Sequence, residues 1–178
     1  GYNLGQHRLF YCQHYLQKQI MAKIYIICHN IRSRHNVGSI FRTADGAGVS
    51  KIFLCGITPA PPHPNIEKVS LGAEKFAAWE KRGRTWRVID ELKKEGFKII
   101  ALEQDKKAVS CDKFKLPESA AKIALIIGNE TEGLPPSILK RANKIIFIPM
   151  FGKKESLNVS VAFGVAVYKL REILYTEK

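Results

Sequence analysis

The chain has 178 residues, long enough for one well-buried domain and short for two. Its hydrophobic share of 46% excludes a disordered chain, and 29 Lys and Arg against 16 Asp and Glu leave a formal charge of +13. An excess that large points to a polyanionic partner, with nucleic acid ahead of an acidic membrane surface.

Residues 1–20 are polar, basic and aromatic (His7, Arg8, Phe10, Tyr11, His14, Tyr15, Lys18) and read as a basic N-terminal extension. No repeat or low-complexity linker interrupts the rest of the chain, so residues 21–178 are expected to form a single domain. Residues 24–28 read as a buried strand. Asn36 is expected to cap a helix, because Val37, Ile40, Phe41 and Ala44 fall at i, i+3, i+4 and i+7, and Gly46 and Gly48 can end it. Residues 51–55 form a second apolar run, and Pro59, Pro61, Pro62 and Pro64 mark a loop. Thr85 is expected to cap a helix carried by Trp86, Ile89 and Leu92 and stopped at Gly96, before a strand over 97–102. Further strands are expected over 123–127 and 145–148, separated by a short helix after Pro135 and Pro136. Asn158 opens a last helix reaching about residue 174. Its apolar positions (Val161, Phe163, Val165, Val167, Leu170, Leu174) spread around much of the circumference, as in a helix that is buried or shared with a second subunit.

Strands apolar on both faces and alternating with helices imply an α/β fold, a mainly parallel sheet with helices on both faces. Ligands of such sheets sit beyond the C-terminal strand ends, here the loops beginning at Glu103, Gly128 and Pro149. The phosphate-loop, dinucleotide-binding and nucleophile-elbow signatures are missing, and the histidines are not spaced as metal ligands, so no metal is expected. Cys12, Cys28, Cys55 and Cys111 are far apart, with no Cys-x-x-Cys pair. Neither a disulfide framework nor metal ligation is expected, and Cys28 and Cys55 read as small core residues. With no apolar run as long as a membrane span and no signal-peptide pattern, a soluble cytoplasmic protein is expected.

Two polar constellations stand out. In the first, Asn30, Arg32, Asn36, Gly38 and Arg42 lie close enough for one concave site to include Asn36 and Arg42. In the second, Glu130, Ser156 and Asn158 lie at loop and helix starts. An apolar run delivering a turn rich in Gly, Asn and Glu suits a small-molecule pocket built largely from backbone, since Gly lets the chain approach a ligand closely. Singly, these residues are caps, turn residues and surface cations; together they point to an enzyme.

With the stretches 30–48, 124–134 and 145–160 in this order, the chain resembles the SpoU/TrmH branch of the SPOUT RNA methyltransferases over roughly residues 23–174. The resemblance implies transfer of a methyl group from S-adenosyl-L-methionine to a ribose 2′-hydroxyl of tRNA or rRNA, leaving S-adenosyl-L-homocysteine. It also implies a C-terminal deep trefoil knot and a homodimer through the last helix. Leu102, Gly128, Asn129, Glu130, Gly133, Ile148, Met150, Ser156 and Leu157 would bind the cofactor. Arg42, Asn36, Glu130, Ser156 and Asn158 would form the catalytic set, and Arg32, Arg34 and Arg42 would contact RNA.

A guanidinium, with its pKa above about 12, is a poor base, so Arg42 is expected to stabilise developing alkoxide charge or grip a phosphate. His35 and Glu130 are the candidate proton acceptors. A second basic cluster, Lys81, Arg82, Arg84 and Arg87, reads as an RNA contact or a solvated helix face. The alternatives are a base methyltransferase of the same superfamily, acting for example on guanine N1, and a non-catalytic RNA-binding module.

Overall fold

The computed structural model describes residues 22–116 and 122–176; the N-terminal extension, with Cys12, lies outside the described residues. These residues form seven strands and six helices. The strands are β1 (Lys23–His29), β2 (Lys51–Cys55), β3 (Trp79–Arg82), β4 (Lys98–Leu102), β5 (Val109–Ser110), β6 (Lys122–Ile127) and β7 (Lys144–Phe147). The helices are α1 (Arg34–Gly46), α2 (Pro64–Ser70), α3 (Ala73–Phe76), α4 (Thr85–Lys94), α5 (Pro136–Leu139) and α6 (Val159–Thr176). All neighbouring strands pair in parallel, in the order β3-β2-β1-β6-β4-β7-β5. Every strand therefore ends at the same edge of the sheet.

The isoleucine-rich central strands are buried on both faces because helices cover both. On one face Ile24, Ile26, Cys28 and Leu125 meet Phe41 of α1, Ile66 of α2 and Phe163, Val167 and Leu170 of α6. On the other, Ile27, Phe53, Ala124 and Ile126 meet Val88, Ile89 and Leu92 of α4 and Ile138 of α5. Each fully buried Ile or Phe removes enough apolar surface from water to contribute about 1.5–3 kcal/mol.

Local chemistry departs from the sequence reading in several places. Asn36 is not the cap of α1: Ser33 is, its hydroxyl accepting the Asn36 N–H at 3.3 Å. Asn36 lies inside the first turn, buried. Nor does Thr85 cap α4; it is the first helical residue, and Arg84 before it makes no side-chain cap. Trp86 is 38% exposed, leaving Val88, Ile89 and Leu92 to bind the helix to the sheet.

The expected proline loop contains α2, which Pro64 opens because its missing N–H is no loss in a first turn. Residues 79–82 are an edge strand rather than a helix face, and β5 was too short to leave a pattern. The expected strands at 97–102 and 145–148 each shift by about one residue.

One side of α6 packs on α1 and the sheet. Arg171 fixes that packing from within: it is buried, its Nε donates to the Ala47 carbonyl at 2.7 Å, and its guanidinium also reaches the Gly48 and Ala22 carbonyls. The other side of α6 leaves Val161, Val165 and Tyr168 exposed at i, i+4 and i+7. No helix among the described residues is long and apolar enough to cross a membrane.

Candidate functional site

Three loops leave the C-terminal ends of β4, β6 and β7 and enclose a cavity of about 330 Å³. The β6 loop folds back on itself, with Asn129 and Gly133 forming an isolated antiparallel bridge. Asn129 organises this turn. Its Oδ1 accepts the Thr131 and Glu132 N–H groups at 2.8 and 3.0 Å, and its Nδ2 donates to the Asn30 carbonyl at 2.9 Å. Gly133 has φ +64, in the left-handed region. A Cβ on Gly128 would lie 2.6 Å from the Gly133 carbonyl carbon and 2.8 Å from the Leu134 nitrogen, so only glycine fits.

The β4 loop is tied to this turn by Glu103. One carboxylate oxygen accepts the Leu134 N–H at 2.7 Å and the other the Gln104 N–H at 2.9 Å. Gln104 Nε2 in turn donates to the Ile148 carbonyl at 3.2 Å, joining the β7 loop. Leu102, Gly128, Asn129, Glu130, Gly133, Ile148, Met150, Ser156 and Leu157 all line the cavity. Glu103 and Gln104 line it as well. The rule that ligands sit beyond strand ends led to the loop starting at Glu103; the chemistry of a carboxylate opposite a glycine turn is what would have led to the residue.

Glu130 reaches from the same turn to the start of α1. Its carboxylate accepts the Arg32 and Ser33 backbone N–H groups at 2.9 and 3.0 Å and the Asn36 Nδ2 at 2.9 Å. Asn158 Nδ2 donates to Asn36 Oδ1 at 3.1 Å, while Asn158 Oδ1 accepts from the Ser160 backbone N–H and hydroxyl, capping α6. A single chain of hydrogen bonds therefore joins the β6 loop, the first turn of α1 and the entry to α6. Desolvation pushes the Glu130 carboxyl upward, but the three donations outweigh it and hold the group below its ordinary value. A carboxylate so occupied is a clamp and a weak base.

Arg42 is not joined to this network. Six residues beyond Asn36, it is separated from it by about 120° around α1 and about 9 Å along its axis. It is exposed, outside the cavity lining, and has no hydrogen bond or ion pair among the described residues. Neither Asn36 nor Arg42 lines that cavity; Asn36 is buried against Glu130, and Arg42 is exposed on α1. Arg32, Arg34 and His35 are likewise exposed, clustered where α1 begins beside Glu130. In the second basic cluster, Lys81 Nζ donates to the Gly56 carbonyl at 2.7 Å, and Arg82 pairs with Glu80 and Glu91. Arg84 and Arg87 stay exposed. Among the described residues no three His, Cys, Asp or Glu side chains are grouped as metal ligands.

A model of the SpoU rRNA Methylase family matches residues 23–168. The tRNA (guanosine(18)-2′-O)-methyltransferase of Aquifex aeolicus (strain VF5) is 33% identical over 144 residues, 81% of this chain and 66% of that protein. The 23S rRNA (guanosine-2′-O-)-methyltransferase RlmB of Acinetobacter baylyi is 29% identical over 136 residues, 76% of this chain and 54% of that protein. The AdoMet-bound rRNA methyltransferase from Sinorhizobium meliloti superposes with a TM-score of 0.79 at 25% identity, covering 89% of this chain and 61% of that one. The A. aeolicus TrmH/SpoU tRNA modifying enzyme gives 0.75 at 27%, covering 93% and 84%. The chain spans two thirds or less of the length of these two curated relatives.

Proposed function

The chain belongs to the SpoU rRNA Methylase family, and on that premise we propose that it transfers a methyl group from S-adenosyl-L-methionine to a ribose 2′-hydroxyl of tRNA or rRNA, releasing S-adenosyl-L-homocysteine. The observation that carries this reading is the cavity at the C-terminal strand edge, built from the β4, β6 and β7 loops and latched to α1 through Glu130.

The residues present suit that cofactor. The volume of about 330 Å³ is within the range of small-ligand sites, roughly 300–1,000 Å³. Gly128 and Gly133 leave backbone uncovered at the rim, Leu102, Ile148, Met150 and Leu157 offer apolar walls, and Glu130 and Ser156 supply polar groups. When bound, the cofactor supplies a methyl carbon already made electrophilic by its sulfonium sulfur, so the protein's task is chiefly alignment. Asn129 and Glu103 fix the turn against which the cofactor rests. Asn36, bonded to both Glu130 and Asn158, holds the start of α1 beside it. Arg42 presents a permanent positive charge that stabilises alkoxide developing on the ribose oxygen or holds the adjacent phosphate. Glu130, already accepting three hydrogen bonds, is poorly suited to take the hydroxyl proton, and His35 is the better acceptor chemically.

The same reading includes a C-terminal trefoil knot, supported by the insertion of β4 between the later strands β6 and β7 and the return of α6 to α1. It also includes a homodimer, supported by the exposed Val161, Val165 and Tyr168 stripe on α6. RNA contact through Arg32, Arg34 and Arg42 is supported by their exposure and by the net charge of +13. The protein is to be incubated with isotope-labelled S-adenosyl-L-methionine and unmodified tRNA and rRNA, and the product nucleosides identified by mass spectrometry. Label on a ribose 2′-oxygen is the expected result. Label on a base, or cofactor that does not bind, overturns it.

A further inference from the structure

Of the second basic cluster, the fold uses Lys81 and Arg82 internally and leaves Arg84 and Arg87 exposed, two positions before and one after a residue with an aromatic ring. That ring is Trp86, 38% exposed although α4 needs only Val88, Ile89 and Leu92 to pack. The Arg87 guanidinium carbon lies 5.3 Å from the ring centroid and that of Arg141 lies 5.6 Å from it. Arg141 is held in place by Asp90, its Nη1 donating to both carboxylate oxygens at 2.7 and 2.8 Å. An indole partly open to solvent, with two guanidinium groups over its ring, offers an unpaired nucleotide aromatic and guanidinium surface on which a base can stack and positive charge for phosphate.

Its position relates it to the methylation site. All strands are parallel, so α4 starts, just after β3, at the same sheet edge that holds the cavity. Thr85 Oγ1 shares a 2.6 Å hydrogen bond with His29 Nδ1 at the end of β1, which sets the first turn of α4 against that edge. The cavity turn runs on through Leu134 into α5, whose Ile138 packs with Val88 and Ile89, and then into Arg141. Three strand spacings separate β3 from β6, about 14 Å, a distance that a few nucleotides of single strand bridge.

We propose that Trp86, with Arg84, Arg87 and Arg141, is a stacking platform for an unpaired base of the RNA substrate, a few nucleotides from the one being methylated. The proposal rests on the RNA-methyltransferase reading. It concerns recognition of single-stranded or loop RNA, where sequence-tolerant stacking supplies affinity.

The chain has two tryptophans, so Trp79→Phe leaves Trp86 as the sole indole reporter. In that variant, titration with a short single-stranded RNA of mixed sequence should quench the emission and raise its anisotropy. Trp86→Leu, which keeps an apolar side chain, should raise the RNA dissociation constant and KM roughly 5- to 100-fold and leave cofactor affinity and kcat unchanged. Trp86→Phe should recover most of the loss. If wild type methylates RNA while Trp86→Leu binds and turns over as wild type does, the platform is refuted and the methyltransferase reading stands. Emission unmoved by saturating RNA refutes it equally. If wild type neither binds nor methylates RNA, it is the underlying reading that has failed.

Discussion

The two halves of the sheet begin alike and end differently. On one side, β1, β2 and β3 are short, parallel strands whose ends are stopped up by polar side chains. Asn30 Oδ1 accepts the Ile57 N–H at 3.1 Å. The buried Thr58 hydroxyl sits 2.7 Å from the Cys55 carbonyl and 3.1 Å from that of Cys28, and it accepts the Ile31 N–H at 3.0 Å. Lys81 closes over the Gly56 carbonyl. On the other side, β4, β6 and β7 end in a cavity: Gly128 and Gly133 let the β6 turn fold back tightly on itself and against Glu103, and Glu103 and Asn129 bond along the rim. Strand order and parallel pairing thus create an edge with ligand-binding potential along its whole length. What is withheld from the space beyond each strand decides where a ligand goes.

The largest expected effect comes from Arg42, which lies on the helix that leaves the closed half. Arg42→Ala should lower kcat by about 100-fold or more, the scale of removing one charge-stabilising donor, while cofactor affinity measured by calorimetry stays unchanged. A parallel loss of cofactor affinity would show that the two halves do not divide the labour in this way. Next is Gly128→Ala, which sets a methyl group 2.6 Å from backbone in the open half. It should cost about 1–3 kcal/mol of stability through overpacking and at least about tenfold in cofactor affinity. Wild-type affinity in this variant would mean that the cofactor does not rest on that turn.

Thr58→Val is the matching change in the closed half. It keeps the shape and removes the partner of the buried Ile31 N–H, at a cost of about 1–3 kcal/mol. A drop of several degrees in Tm with cofactor affinity unaltered is the expected pair of readings. A large change in affinity would mean that the closed half also shapes the site.

How far this division could be read from the sequence depends on the range of the interactions involved. The open half was legible because its determinants are local: the isoleucine run before Gly128, the Gly and Asn of the turn, and Asn158 as the cap of α6 are neighbours in the chain. Glu130, Asn36 and Asn158 were named as site residues, but their mutual bonds span 94 and 122 positions and have no local signature. The caps misled for a related reason. Ser33 and Asn36 are both good N-cap residues, and the choice between them was settled by Glu130, which claims the Asn36 amide. Arg171 and Thr58 were invisible because a buried arginine or threonine is legible only through the distant carbonyls it satisfies. Strand β3, where Glu80, Lys81 and Arg82 come after Trp79, reads as surface until pairing with β2 makes it an edge strand.

The smallest effect bears on Glu130, which crosses from the β6 loop of the open half to α1. Glu130 has a folded-state pKa below its ordinary value, so the clamp's contribution is complete above the ordinary carboxylate range and is lost as pH falls through that lower pKa. Near neutral pH a small change of pH should therefore do nothing, and the loss should come only in acid. Glu80 and Asp112 are also held below their ordinary values, so the acid limb of wild type alone would mix several groups. Comparison with Glu130→Gln removes them. The glutamine keeps one acceptor oxygen but turns an NH₂ toward backbone N–H donors, so at neutral pH the variant has already lost what wild type loses only in acid. The Tm of wild type should exceed that of Glu130→Gln by a few degrees at neutral pH, and the gap should close as the pH is taken below the carboxylate range. A gap that stays constant with pH would mean that the carboxylate's charge contributes nothing to holding α1 against the open half, and that any loss in the variant comes from geometry alone.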